Sequence, residues 1–223
     1  MIILKNLSSK SLAFLFMNIS WYGQSCFRII TQKEKNEQIN ILIDLFDKES
    51  GLRSPKTDAD ILLDTSGNKA GSSPAFFIGG PGEYDVKGVF IRGVSSAKNG
   101  GKEENTIYTI ESEGIKICHL GFLKQKELST EQLEAIGEVD VLLVPVGGGE
   151  SLTAEEAVKI ISQVEPKITI PMRYKVPGLK EKLDGVERFL KVLGIKSLAP
   201  IEKLSLKKKD LSEEEAKIVT LLS

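Results

Sequence analysis

The sequence predicts an α/β protein built as a layered sandwich of β-sheets and helices. Short strands with hairpin turns fill the first half of the chain, strands and helices alternate in the second half, and β-structure returns at the end. An all-parallel sheet would alternate strand and helix from its first strand, and this sequence does not. Because no internal linker interrupts the 223 residues, we predict a single domain from residue 17 to residue 223.

Runs of β-branched and aromatic residues define the predicted strands of the first half. The run from Ala59 to Leu63 is almost wholly apolar, which is typical of a strand buried on both faces. The stretch from Gly79 to Tyr84 is predicted as a turn, because its glycines adopt positive φ at little cost. The predicted strands span 19–23, 26–31, 39–44, 59–63, 74–78, 88–94, 106–111 and 115–120.

Helix-capping residues mark three predicted helices in the second half. Ser129 with Gln132, and Thr153 with Glu156, each form the pattern of a capping box. Asp184 is predicted to cap the third helix. Strands are predicted at 139–144 and 167–171 between these helices and at 203–206 and 216–222 after them, with a helix over 213–222 as the alternative at the end.

The composition disfavours nucleic-acid and membrane partners. Lys and Arg (30) nearly balance Asp and Glu (31), so the chain lacks the basic field that a phosphate backbone requires. The basic run 207–209 is followed by acidic residues and is interpreted as a solvated hairpin rim. The apolar run 12–17 is too short to span a membrane. Residues 1–16 are predicted to be a loose extension or an upstream start, because Met17 directly precedes the first strand.

Two cysteines, Cys26 and Cys118, lie in β-rich apolar runs without the spacing of a zinc or redox motif. We interpret them as buried free thiols and expect a cytoplasmic protein. His119 cannot act with Cys118 as base and nucleophile, because adjacent side chains on a strand point to opposite faces. For this histidine a hydrogen-bonded structural role is favoured over a catalytic one beside Cys26 or Ser25.

Seven short stretches carry a resemblance to a known family. They are 21–29 (WYGQSCFRI), 41–46 (ILIDLF), 59–63 (ADILL), 81–84 (PGEY), 117–121 (ICHLG), 139–148 (VDVLLVPVGG) and 170–174 (IPMRY). In this order and spacing they resemble the metallo-β-lactamase fold superfamily, in particular its small cytoplasmic hydrolase-like branch related to the L-ascorbate-6-phosphate lactonases. The resemblance implies an αββα four-layer sandwich whose site lies where strand ends converge. It also implies that the relatives in this family use Zn or Mn.

The main metal-binding motif of that family is missing here. Relatives carry His-x-His-x-Asp-His after the strand that 59–63 matches, and those side chains hold a metal that activates water. Matched residue by residue, the four places hold Ser66, Asn68, Ala70 and Gly71. None of these four side chains is a competent zinc ligand in such a setting.

The other ligand positions of the family are also replaced. Phe122 takes the place of the aspartate that can bridge two metals, and Arg173 that of the closing histidine. Gln24 stands where relatives often have histidine in the first hairpin, and His119 does not match a family ligand. The fixed positive charge of Arg173 is expected to repel a metal cation.

From these replacements we expect a hydrolase homologue that has lost metal binding and catalysis, needs no cofactor, and has a binding, regulatory or structural role. A small anionic molecule near Arg173 is the expected ligand, Asp64 is the expected partner of Arg173, and self-association is left open. The alternative is a lactonase-type or phosphodiesterase-type hydrolase that works without metal. The residues predicted to line the vestigial pocket are Gln24, Asp44, Asp64, Ser66, Asn68, Gly71, His119, Phe122 and Arg173.

Overall fold

Two mixed β-sheets and three α-helices make up the fold in the part of the chain that the structure describes. The structure is a computed structural model, and it describes residues 16–33, 37–46, 48–67, 75–96, 105–211 and 216–223. The strands are β1 (Met17–Trp21), β2 (Phe27–Lys33), β3 (Glu37–Ile43), β4 (Ile61–Leu63), β5 (Phe76–Ile78), β6 (Gly82–Val86), β7 (Val89–Ser95), β8 (Thr106–Ser112), β9 (Ile115–His119), β10 (Val141–Pro145), β11 (Ile168–Met172), β12 (Leu204–Leu206) and β13 (Lys217–Ile218). The helices are α1 (Thr130–Ile136), α2 (Ala154–Val164) and α3 (Val186–Val192).

Each sheet combines antiparallel hairpins with a parallel part. Sheet A has the order β12-β1-β2-β3-β4-β5, antiparallel as far as β3 and parallel from there on. Sheet B has the order β13-β11-β10-β9-β8-β7-β6, with its parallel part between β13 and β9. Helix α1 packs against β7, and α2 packs against β10 and α3. The predicted layered α/β sandwich is confirmed.

The buried residues form one large core and one small cluster. The large core joins the two sheets, and strand β1 contributes to it with the alternation that a half-buried strand requires. In β4, Ile61 and Leu63 belong to this core, whereas Leu62 packs with Cys26 and Leu42 in the small cluster. The prediction that 59–63 holds a strand buried on both faces is therefore confirmed. Both cysteines are free and buried, as expected.

Two of the three predicted helix caps are confirmed. The side chains of Ser129 and Thr153 each accept a hydrogen bond from the backbone N–H three residues on. The side-chain oxygen of that residue in turn accepts a bond from the backbone N–H of the capping residue. The prediction for the third helix was wrong by one residue, because α3 is capped by Gly185 without a side-chain bond. Asp184 instead forms an ion pair with Arg188, at 2.8 Å, across one turn of the helix.

Two other local predictions were wrong, and the last predicted strand was too long. The predicted turn 79–84 contains the start of β6. This is an edge strand, because its backbone pairs with β7 alone, and its glycine-rich sequence did not reveal it as a strand. Strands β12 and β13 join different sheets and do not form a hairpin, so the run 207–209 is not a hairpin rim. Lys208 there pairs with the nearly buried Asp140, at 2.9 Å. The last strand is confined to Lys217–Ile218 within the predicted 216–222.

Some predictions concern residues outside the described ranges. These are the extension 1–16 except Phe16, and three of the matched ligand positions, Asn68, Ala70 and Gly71. In the described part of the chain, no helix is long and apolar enough to cross a membrane.

Candidate functional site

A polar cleft of about 280 Å³ opens where strands of sheet A end. Gln24 and Ser25 follow β1, Asp44 follows β3, and Asp64 and Ser66 follow β4. Phe122, which follows β9 of sheet B, closes another side. The cleft therefore brings together five of the predicted pocket residues, namely Gln24, Asp44, Asp64, Ser66 and Phe122.

Asp44 is a buried carboxylate in the wall of this cleft. The Thr65 backbone N–H donates to its Oδ1 at 2.7 Å, and the Thr65 hydroxyl donates to its Oδ2 at 2.8 Å. Burial raises the pKa of Asp44 to about 7, although the hydrogen bonds from Thr65 act in the opposite direction. This carboxyl group consequently changes its charge near neutral pH.

Ser66 is bonded within its own loop. Its backbone N–H and its hydroxyl both donate to Oδ1 of Asp64, at 2.9 and 2.7 Å. The hydroxyl is thereby oriented toward a carboxylate two residues earlier. Such a local turn stabilises the end of β4 and uses a carboxylate oxygen that the cleft would otherwise present.

The side chain of Arg173 is buried behind the cleft, with 2% of its surface exposed. Its Nη2 pairs with Oε1 of Glu181 at 2.8 Å, and its Nε donates to the hydroxyl of Ser151 at 3.4 Å. The guanidinium lies over the ring of Phe122, 4.1 Å from the ring centre. Glu181 thus takes the place that the sequence assigned to Asp64, and that predicted pairing was wrong.

The backbone of Arg173 also connects parts of the site. Its N–H donates to the carbonyl of Gln24 at 3.0 Å, and its φ of +51° lies in the left-handed region. Its carbonyl lies so close to Gly147 that a Cβ there would be 2.2 Å away. Burial lowers the pKa of Arg173, while the nearby carboxylates of Glu181, Asp44 and Glu150 oppose this effect.

His119 lies under the cleft and is fully buried. The backbone N–H of Gly121 donates to its Nδ1 at 3.1 Å, so the ring carries its proton on Nε2 and donates it to the carbonyl of Ser25 at 2.9 Å. Burial lowers the pKa of this histidine to about 4. The ring therefore links the two sheets as a neutral hydrogen-bonding group.

Neither thiol is placed for chemistry in the cleft. Burial raises the pKa of Cys118 to about 12 and raises that of Cys26 still further. Both side chains are completely inaccessible to solvent. Nucleophilic catalysis needs a thiolate, so these cysteines serve as packing residues.

Sequence reasoning missed three residues of the site, Ser25, Ser151 and Glu181. Glu181 is eight positions from Arg173 in a segment without regular secondary structure, so no periodicity connects the two. Ser25 was seen only as a possible partner of His119, whereas its side chain bonds Asp44 and its carbonyl bonds the histidine. The one sequence signal was the glycine run after β10, since Gly147 packs on the backbone of Arg173.

Comparison with known proteins identifies the family. Residues 18–173 match the family model of the beta-lactamase superfamily domain. The chain belongs to the metallo-β-lactamase superfamily. A solved structure from Thermotoga maritima, described as a candidate Zn-dependent hydrolase of this superfamily, shares 34% identity and a TM-score of 0.75, covering 93% of this chain and all of that one.

Two further relatives are more distant in sequence. A UPF0173 protein of Pyrococcus abyssi is 26% identical over 73% of this chain and 85% of its own length. A protein of Methanopyrus kandleri, named a UPF0173 metal-dependent hydrolase, is 23% identical over 80% of this chain and 94% of its own. The chain therefore spans most of the length of these two relatives.

The names of two of these relatives include a metal, and the residues of this chain that the structure describes do not fit one. Among the described residues, no group of three His, Cys, Asp or Glu side chains is placed to hold a metal ion. Residues 65–74 contain none of these four residue types. At the matched positions stand a serine hydroxyl bonded to Asp64, the phenyl ring of Phe122, and the guanidinium of Arg173.

Proposed function

We propose that this chain is a metallo-β-lactamase-fold protein that has lost metal binding and hydrolysis and acts by binding other molecules. The observation that carries this proposal is the buried guanidinium of Arg173, stacked on Phe122 where relatives place metal ligands. A fixed positive charge next to the cleft repels a dication. No imidazole or thiolate near it is accessible to compensate, since His119 and both cysteines are buried.

Metal content is the direct test. The protein is purified without chelator beside the Thermotoga maritima relative, and zinc, manganese and iron are measured in both by mass spectrometry. We expect the metal content of this chain to stay far below one equivalent, also after incubation with each metal and gel filtration. One equivalent or more that survives gel filtration would overturn the proposal.

A small anion near Arg173 is the ligand that we propose for this cleft. Nη1 of Arg173 supports it, as a buried donor without a hydrogen-bond partner among the described residues. The carboxylates of Asp44 and Asp64 in the cleft wall oppose it. We therefore expect anions to bind more tightly below pH 7, where Asp44 takes up a proton. Thermal shifts with sugar phosphates and dicarboxylates at pH 6 and pH 8 test this, and equal shifts at both pH values contradict it.

A hydrolase that works without metal is the second candidate, and Asp44 favours it. A cleft carboxylate with a pKa of about 7 suits general acid–base catalysis at neutral pH. Lactone, phosphodiester and β-lactam substrates are assayed with chelator present, with Asp44→Asn and His119→Ala as comparison variants. Turnover that disappears in Asp44→Asn would establish this candidate in place of the binding role.

A further inference from the structure

A second cavity, of about 390 Å³, lies on the outer face of sheet A. On β2, Phe27 and Ile29 belong to the main core, so Arg28 between them points to the opposite face. The other wall is the segment 53–56, which contributes Arg53 and Lys56. This volume falls within the range of small-molecule sites. Within the described ranges, the lining residues of this cavity and of the cleft described above are entirely different.

The walls of this second cavity are basic. Arg28, Arg53 and Lys56 line it, and the carboxylate of Asp58 pairs with Arg28 at 3.2 Å. Among the described residues, these three cations and the one paired carboxylate leave two positive charges. Arg53 and Lys56 are exposed and have no ion-pair partner among the described residues. The lining of the cleft has the opposite character, since the charged side chains in its described part are Asp44 and Asp64.

Arg28 is held in place before any ligand arrives. Its Nη2 donates to the carbonyl of Lys56 and to Oδ1 of Asp58. Its guanidinium lies over the ring of Tyr22, 5.8 Å from the ring centre, and 14% of the side chain is exposed. A guanidinium fixed in this way loses little conformational entropy when it contacts a ligand.

We propose that this cavity binds the phosphate group of a small phosphorylated molecule. A phosphate monoester carries close to two negative charges at neutral pH, which matches the two positive charges of the cavity, whereas a single carboxylate carries one. Arginine and lysine are the usual phosphate-binding side chains, and two of the three here have no competing partner among the described residues. This phosphate-binding proposal does not depend on the separate proposal that the cleft has lost metal binding.

Calorimetric titration of the full chain tests the proposal, with inorganic phosphate, pyrophosphate and ribose 5-phosphate as probes. We expect at least one of them to bind. In the double variant Arg53→Gln with Lys56→Gln, we expect affinity to fall by about a hundredfold, since each of the two lost charged hydrogen bonds weakens binding by about tenfold. Both residues are exposed, so the fold should tolerate the change.

The matched control removes two exposed cations elsewhere, Lys203→Gln with Lys209→Gln, and should bind like the original chain. A third variant, Arg28→Lys, keeps the charge but loses the planar fork, and we expect weaker binding. Absence of binding by all three probes at millimolar concentration would overturn the proposal. Equal losses in the two double variants would also overturn it, because the effect would then come from net charge.

Discussion

Two buried titratable groups of the site should affect stability with opposite dependence on pH. His119 has a folded-state pKa of about 4 against an ordinary value of 6.5. Between these values the unfolded chain binds a proton and the folded chain does not, so stability falls as pH decreases from 6.5 to about 4. At about 1.4 kcal/mol per pH unit, the total change is about 3 kcal/mol.

Asp44 produces the reverse change. Its pKa is about 7 in the folded chain and 3.8 in its ordinary state, so the folded chain keeps a proton that the unfolded chain has released. Stability therefore falls as pH rises from 3.8 to about 7, by about 4 kcal/mol. Between pH 4 and pH 6.5 the contributions of Asp44 and His119 should nearly cancel.

Single variants separate the two contributions. Urea unfolding is measured between pH 4 and pH 7 for the original chain, Asp44→Asn and His119→Gln. Relative to the original chain, Asp44→Asn should gain about 3 kcal/mol of stability as pH rises from 4 to 6.5, and His119→Gln should gain a similar amount as pH falls over that interval. The reasoning would be refuted if the difference in the free energy of unfolding between each variant and the original chain did not change with pH.

Three further predictions concern packing and capping, and each is measured by urea unfolding. Glu181→Gln should lower the free energy of unfolding by about 2 kcal/mol, because it leaves the buried guanidinium of Arg173 without its carboxylate. Adding Arg173→Met should recover part of that loss, and no recovery would contradict the pairing. Gly147→Ala should cost about 1–3 kcal/mol because its Cβ would meet a backbone carbonyl at 2.2 Å, whereas Gly80→Ala, with open space around it, should be neutral. Ser129→Ala should cost about 1 kcal/mol through loss of the capping box, and an unchanged midpoint would argue against that role.

Local chemistry explains which parts of the fold could be predicted. The caps at Ser129 and Thr153 and the buried strand at 59–63 depend on neighbours in sequence, and the sequence revealed all of them. The formation of β6, and the choice of sheet that β12 and β13 each join, depend on which sheet edge is available. That information is tertiary, and the glycine-rich and short segments involved carry little strand preference of their own.

The candidate site divides in the same way. The residues that the resemblance matches to family ligands, at positions 66, 122 and 173, could be assigned from the sequence because each follows a recognisable strand. The partner of Arg173 was not visible, since Glu181 reaches it from an irregular segment. The second cavity was missed for a related reason. Arg28 alternates with core residues on a strand, while Arg53 and Lys56 lie in a loop whose approach to that strand no local pattern encodes.

The setting of Arg173 determines what a histidine at this position would do to the stability of the chain. Histidine at position 173 alone would leave the carboxylate of Glu181 without its cation and the ring of Phe122 without its stacking partner. That single substitution would therefore lower stability without supplying a complete set of metal ligands. Whatever the cleft binds, the contacts around this position favour arginine over histidine in the chain as it stands.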